Sequence, residues 1–150
     1  MIYINGRFLI NNPTGIENFA YGMCKAMLEK GIKFIILTPK SAIRSYDVIG
    51  FDMIKIGLFT GPLWEQIDLS FFMIGKSRDI LISFSGAGSL IIKNQIITIH
   101  DVAVFQHPEW FSKTYSILYK TITPIIARKS KAILTVSEFS KREITNLFGI

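Results

Sequence analysis

The chain reads as an α/β protein built on a Rossmann-like, doubly wound, mainly parallel sheet. Three observations predict it. Short apolar runs alternate with amphipathic helical stretches along the whole length. The opening has the order strand, glycine-bearing loop, helix, strand, which is one βαβ unit and calls for parallel pairing. Two late apolar runs, ending at His100-Asp101 and at Ser137-Glu138, finish in polar clusters, as strands do where an open α/β sheet binds ligands.

Tyr3 to Asn5 is the first strand, and Asn11-Asn12-Pro13 is a loop. Thr14-Gly15-Ile16-Glu17 has the Thr-x-x-Glu form of a capping box and opens a helix. Ile16, Phe19, Ala20, Met23, Cys24, Met27 and Leu28 then recur on one helical face until Gly31 supplies the stop. Lys33 to Leu37 is the second strand, ended by Thr38-Pro39, and Met53 to Ile56 is a short third one. Pro62 suits the first turn of a helix running to about Ile74, with Leu63, Trp64, Ile67 and Phe71 as its apolar face.

Asp79 to Phe84 is a strand, Gly86-Ala87-Gly88 a tight loop, and Gln95 to Ile99 another buried strand. Ser112 caps a helix over Lys113 to Lys129, which Pro124 is expected to kink or restart. Lys131 to Val136 is the last strand, and a helix from about Phe139 to Phe148 closes the chain. Ser137 and Ser140 are both candidate caps for it, Ser140-x-x-Glu143 forming a second capping box.

Composition narrows the class. At 150 residues and 49% hydrophobic content the chain can bury one sizeable core as one domain. A charged content of 19% and a mean hydropathy of +0.37 predict apolar surface covered by a partner domain, another subunit or a membrane face. No apolar run reaches the roughly 18–20 residues of a membrane span, and Met1 to Asn5 lacks the basic start of a signal peptide, so a cytoplasmic chain is expected. Cys24 is the single cysteine and is expected to be a buried structural thiol, without disulfide or zinc. A formal charge of +6 favours anionic partners.

Several residues are candidates for chemistry. Thr14 and Gly15 stand at a helix start, where backbone N–H groups bind phosphate or simply receive a cap; neither a dinucleotide fingerprint nor a Walker lysine is present. His100, leaving a buried strand, can donate a hydrogen bond to a substrate hydroxyl or phosphate, with Asp101 fixing its tautomer or holding its own ligand, or can be satisfied by local backbone. The only other histidine, His107, does not complete a metal site. Trp64 is core or interface, and Glu65 beside it is a candidate for a cleft. Ser137 and Glu138 are read first as helix initiation and second as ligand contacts. Phe105, Trp110, Phe111, Tyr115 and Tyr119 are read as packing: basic residues do not interleave with them as in single-strand nucleic-acid binding, and no nucleic-acid partner is expected.

Thr98-Ile99-His100-Asp101, His107-Pro108-Glu109-Trp110-Phe111-Ser112 and Leu134 to Glu143 together resemble the amino-terminal, acceptor-side domain of the group 1 (family 4) retaining glycosyltransferases. Pro13-Thr14-Gly15-Ile16 is similar to that family's first loop and Trp64-Glu65-Gln66 to its middle. The nearest likeness is to its mannosyltransferase-like members, which build bacterial surface polysaccharide, including lipopolysaccharide. The resemblance implies one half of a GT-B fold and a hexose, such as mannose, moved from a nucleotide sugar to a glycan or lipid-linked acceptor. It implies His100 and Asp101 at the reaction centre, Thr14, Gly15, Ser137 and Glu138 toward the donor, and Glu65 and His107 toward the acceptor.

No cofactor and no metal are implied, the nucleotide sugar being a substrate. A C-terminal donor-binding domain, absent from these 150 residues, is implied as the partner that completes the cleft. The basic charge favours peripheral contact with the inner face of the membrane. The rival readings are a non-catalytic acceptor-binding module and another Rossmann-like nucleotide-binding domain.

Overall fold

In a computed structural model that describes residues 1–41, 43 and 46–150, six parallel strands form one sheet in the order β3-β2-β1-β4-β5-β6. They are β1 (Ile2–Asn5), β2 (Ile35–Thr38), β3 (Met53–Lys55), β4 (Ile80–Ser83), β5 (Gln95–Thr98) and β6 (Ala132–Leu134). Each lies within a few residues of its apolar run. The chain winds outward from β1 to β3, returns to the middle, and winds the other way from β4 to β6. The switch point therefore lies between β1 and β4, whose register pairs Tyr3 with Leu81 and Ile4 with Ile82.

Side chains alternate across the sheet because the strand period is two. Ile4, Ile36 and Ile82 pack on one face against Ala20 and Cys24 of α1 (Gly15–Glu29). Tyr3, Leu37 and Leu81 pack on the other against Trp64, Leu69 and Met73. Ile97 and Ile99 join Ile122 and Ile126 of α5 (Lys113–Lys129) and Ile144 and Phe148 of α6 (Glu138–Phe148). Gly6 succeeds β1 where only hydrogen fits: a Cβ there would stand 2.6 Å from the Leu37 carbonyl oxygen. Cys24 is fully buried as expected, and burial pushes its thiol up to about 12. Alkylation of native protein at pH 8 is therefore expected to run at least about a thousandfold slower than after unfolding, measured by mass spectrometry.

Four expectations need correction. The helix predicted from Pro62 to Ile74 forms, as α2 (Gly61–Trp64), a π-turn (Glu65–Leu69) and α3 (Ser70–Met73), but it buries another face. Trp64 and Leu69 point inward, five residues apart, because the π-turn inserts one residue and rotates the turn after it. Leu63 and Phe71, placed by 3.6-residue spacing on the apolar face, are instead 58% and 70% exposed. Pro124 does not restart α5, which runs through it while Ile122, Thr123, Ile126 and Ala127 are held in the core.

The capping boxes also differ. Thr14 takes the N-cap position of α1, but its hydroxyl donates to the Glu17 carboxylate and no backbone N–H reaches it. Ser137 alone caps α6, accepting from the Ser140 N–H at 3.0 Å, which leaves Ser140 inside the first turn.

Candidate functional site

β5 and β6 lie side by side in parallel, Thr98 opposite Leu134, so their carboxyl ends share one edge of the sheet. At that edge opens a cavity of about 160 Å³ lined by Ile16, Gly86, Ala87, Thr98, His100, Asp101, Phe111, Tyr115, Tyr119 and Thr123 among others. Five segments build it: the start of α1, the β4–β5 loop, the end of β5, the short helix α4 (Ala103–Gln106) with Val104 and Phe105, and α5 with the turn before it.

His100 is half-buried in this wall, its ring edge-on to Phe19 with centroids 5.1 Å apart. Its Nε2 stands 3.0 Å from the Phe84 carbonyl oxygen. A carbonyl only accepts, so Nε2 carries the proton, and a neutral imidazole offers Nδ1 as an acceptor. The tautomer is thus set by the end of β4. Asp101, expected to set it, turns away: its Oδ1 accepts from the Ala103 N–H at 2.8 Å and holds the turn into α4 (Ala103–Gln106).

Aromatic rings and threonines both contribute to the wall, Tyr115, Tyr119 and Thr123 following one another along one face of α5. Tyr115 stacks between Phe111 and Tyr119, at 5.5 and 4.1 Å between centroids. Burial, with Tyr119 beside it, holds the Tyr115 phenol well above its ordinary range. Thr98 and Thr123 are both buried, and among the described residues neither hydroxyl has a hydrogen-bond partner. Threonine in mid-helix ordinarily bonds back to the carbonyl four residues earlier, as Thr121 does to Ile117 at 2.7 Å. Both residues line the cavity, but the two oxygens are themselves enclosed, so an occupant meets the rest of each side chain.

Behind the cavity, the switch point between β1 and β4 is filled by a polar knot. Glu65 accepts from Asn5 Nδ2 at 2.8 Å and from Arg7 Nη1 at 2.6 Å, while Asn5 Nδ2 also reaches Ser83 Oγ at 3.2 Å. Glu65 is 1% exposed, so it is not the open cleft carboxylate the sequence suggested; the π-turn swings it under the sheet edge. Burial pushes its carboxyl up, opposed by Arg7, Asn5 and the Ala87 N–H. Sequence reading gave Asn5, Arg7, Thr98 and Thr123 no role at the site and read the two tyrosines as packing. The usable signal was polar residues at the end of every apolar run, Asn5 and Ser83 included, not only of β5 and β6.

The remaining predicted site residues lie outside this wall. Gly15 has open space where a Cβ would stand, beside the cavity residue Ile16. The Glu17 carboxylate, taking Asn11 Nδ2 at 3.1 Å and the Thr14 hydroxyl, already sets negative charge at that helix start. Ser137 is spent on its cap, and Glu138 is exposed, 3.7 Å from Lys141. His107 stacks on Trp110 at 4.1 Å and meets Glu109 at 3.1 Å, on the surface. No group of three or more histidine, cysteine or acidic side chains gathers as a metal site among the described residues.

No curated protein shows significant similarity to the chain. The six-stranded parallel sheet with its switch point, and a cavity at the carboxyl edge walled by His100, fit one half of a GT-B enzyme. Residues 13–150 match the family model described as Glycosyltransferase Family 4, and the chain belongs to that family as its amino-terminal domain.

Proposed function

We propose that this domain seats the acceptor in a retaining transfer of a hexose, such as mannose, from a nucleotide sugar to a glycan or lipid-linked acceptor of bacterial surface polysaccharide. The observation that carries the reading is the cavity itself. It offers an aromatic face for a sugar ring and an imidazole whose Nδ1 accepts from a sugar hydroxyl. The donor diphosphate would be held mainly by a second, C-terminal domain. Thr14 and Gly15 reach it from this side in a minor role, since Glu17 opposes an anion there. Closing the two halves would exclude water and bring the acceptor hydroxyl to the anomeric carbon.

Contact with the inner membrane surface is part of the proposal. No helix among the described residues is long and apolar enough to cross a membrane. Leu63, Phe71 and Ile74 nonetheless face outward, and Lys76 lies over the Phe72 ring at 4.5 Å, a pairing suited to an anionic lipid surface.

The test is turnover. The domain joined to its donor-binding half is expected to release nucleoside diphosphate from GDP-mannose only when a glycan or lipid-linked acceptor is added. The 150 residues alone should bind free mannosides by ligand-observed NMR and release none. Tight nucleotide binding by these residues alone, without acceptor-dependent release in the completed protein, would overturn the reading.

A further inference from the structure

The π-turn between α2 and α3 is the one irregularity in an otherwise regular helix, and it lies against the β4–β5 loop. Turns of this kind expose helix backbone and side chains to unusual partners and tend to sit at functional sites. Here Glu65 and Gln66 from its first half, with Ser70 just after it, reach that loop, while Asp68 turns the other way and accepts from the Leu58 and Phe59 N–H groups. Gln66 Nε2 donates to the Gly88 carbonyl at 2.7 Å, and its Oε1 accepts from the Leu90 N–H at 3.0 Å. The Ser70 hydroxyl donates to the Glu65 carbonyl at 2.9 Å, so the Ser89 hydroxyl 2.7 Å away donates to Ser70 Oγ. Glu65 reaches the same loop at Gly86, where a Cβ would collide with Oε1 and where φ is +79°. From the other side Gln95 clasps Ser89 through both its N–H and its carbonyl, at 3.0 and 2.6 Å.

The clasped loop is the cavity wall and the anchor of the imidazole. Gly86 and Ala87 line the cavity, and Phe84, two residues before Gly86, supplies the carbonyl that holds His100 Nε2–H. Glu65 also ties the loop to β1 through Asn5 and Arg7. We infer that Glu65, with Gln66, is a positioning residue for His100: the π-turn fixes the β4–β5 loop and thereby keeps the imidazole in its Nε2–H tautomer, with Nδ1 free for the acceptor. The inference rests on the acceptor-cavity reading for its purpose, but its physical content, loop order and imidazole tautomer, does not.

The same 150-residue protein tests it by NMR. Long-range nitrogen–proton spectra at alkaline pH are expected to show His100 as a single Nε2–H tautomer in the wild type. Glu65→Gln places an N–H₂ against other donors, and Gln66→Ala removes both bonds to the loop at a half-buried position. Each is expected to give a mixed tautomer and about tenfold or faster amide exchange at Gly86, Ala87 and Gly88; Gln66→Ala leaves the β1 and β5 amides unchanged, whereas Glu65→Gln, which also disturbs Asn5 and Arg7, speeds β1 as well. Gln66→Glu, which restores the acceptor for Leu90, should recover part of the protection. A folded Gln66→Ala protein with an unaltered tautomer and unaltered loop exchange overturns the inference. Mixed tautomers in these variants, together with full transfer activity in the completed enzyme, would sustain the positioning but overturn the acceptor-cavity reading on which its purpose rests.

Discussion

Replacing Arg7 with alanine is expected to cost about 3–5 kcal/mol of stability, because it leaves Glu65 buried beside a missing cation. The guanidinium is 2.6 Å from Oε2, with side-chain exposures of 15% and 1% for Arg7 and Glu65, so water cannot take its place. Chemical denaturation with an unchanged slope would measure the loss. The pH dependence has a definite sign. A carboxyl raised in the fold binds protons more tightly there than in the unfolded chain, so its contribution falls as pH rises from the ordinary carboxylate range through the raised value. Without Arg7 that window extends to higher pH, and the deficit is therefore smallest in acid and largest at neutrality and above. Arg7→Met with Glu65→Leu removes both charges and should recover most of the loss. A single substitution costing under about 1 kcal/mol would show that the knot is not a desolvated ion pair.

His100→Ala carries the second large effect, on catalysis rather than on folding. On the proposed reading the imidazole is the group of the cavity wall that accepts from the acceptor hydroxyl, and its loss should lower kcat of the completed transferase by roughly 10²-fold or more. Stability should change little, since the ring is half-buried and gives up one hydrogen bond, to Phe84. Asp101→Asn is expected to cost far less, because that carboxylate serves the Ala103 N–H and not the imidazole. Undiminished kcat in a folded His100→Ala enzyme would remove His100 from the reaction. Equal losses at both positions would mean that Asp101 swings to the imidazole when the two halves close.

Much of this chain was legible in its order of residues. Apolar runs and amphipathic stretches revealed all six strands and the long helices, because burial on both faces leaves a continuous apolar segment and burial on one leaves a period near 3.6. The resemblance of the late motifs named the family, and strand–helix alternation implied that β5 and β6 lie parallel and adjacent. Failures came where local pattern and tertiary contact disagree. A single inserted residue in the π-turn turned Phe71 out and Glu65 in, and no periodicity reports an insertion that long-range hydrogen bonds stabilise.

The cavity shows the same division. Its histidine was visible as the polar end of a buried run, since that signal is local. Thr98, Thr123, Tyr115 and Tyr119 became a wall only when α5 packed across β5, and as isolated letters they are ordinary core residues. The sequence by itself determined the sheet, its direction and the edge at which chemistry sits, because backbone pairing and hydrophobic period are properties of short segments. Only the tertiary structure decided which polar atoms meet there, because hydrogen bonds between Glu65, Arg7 and Asn5, or between Phe84 and His100, depend on distances that no spacing along the chain encodes.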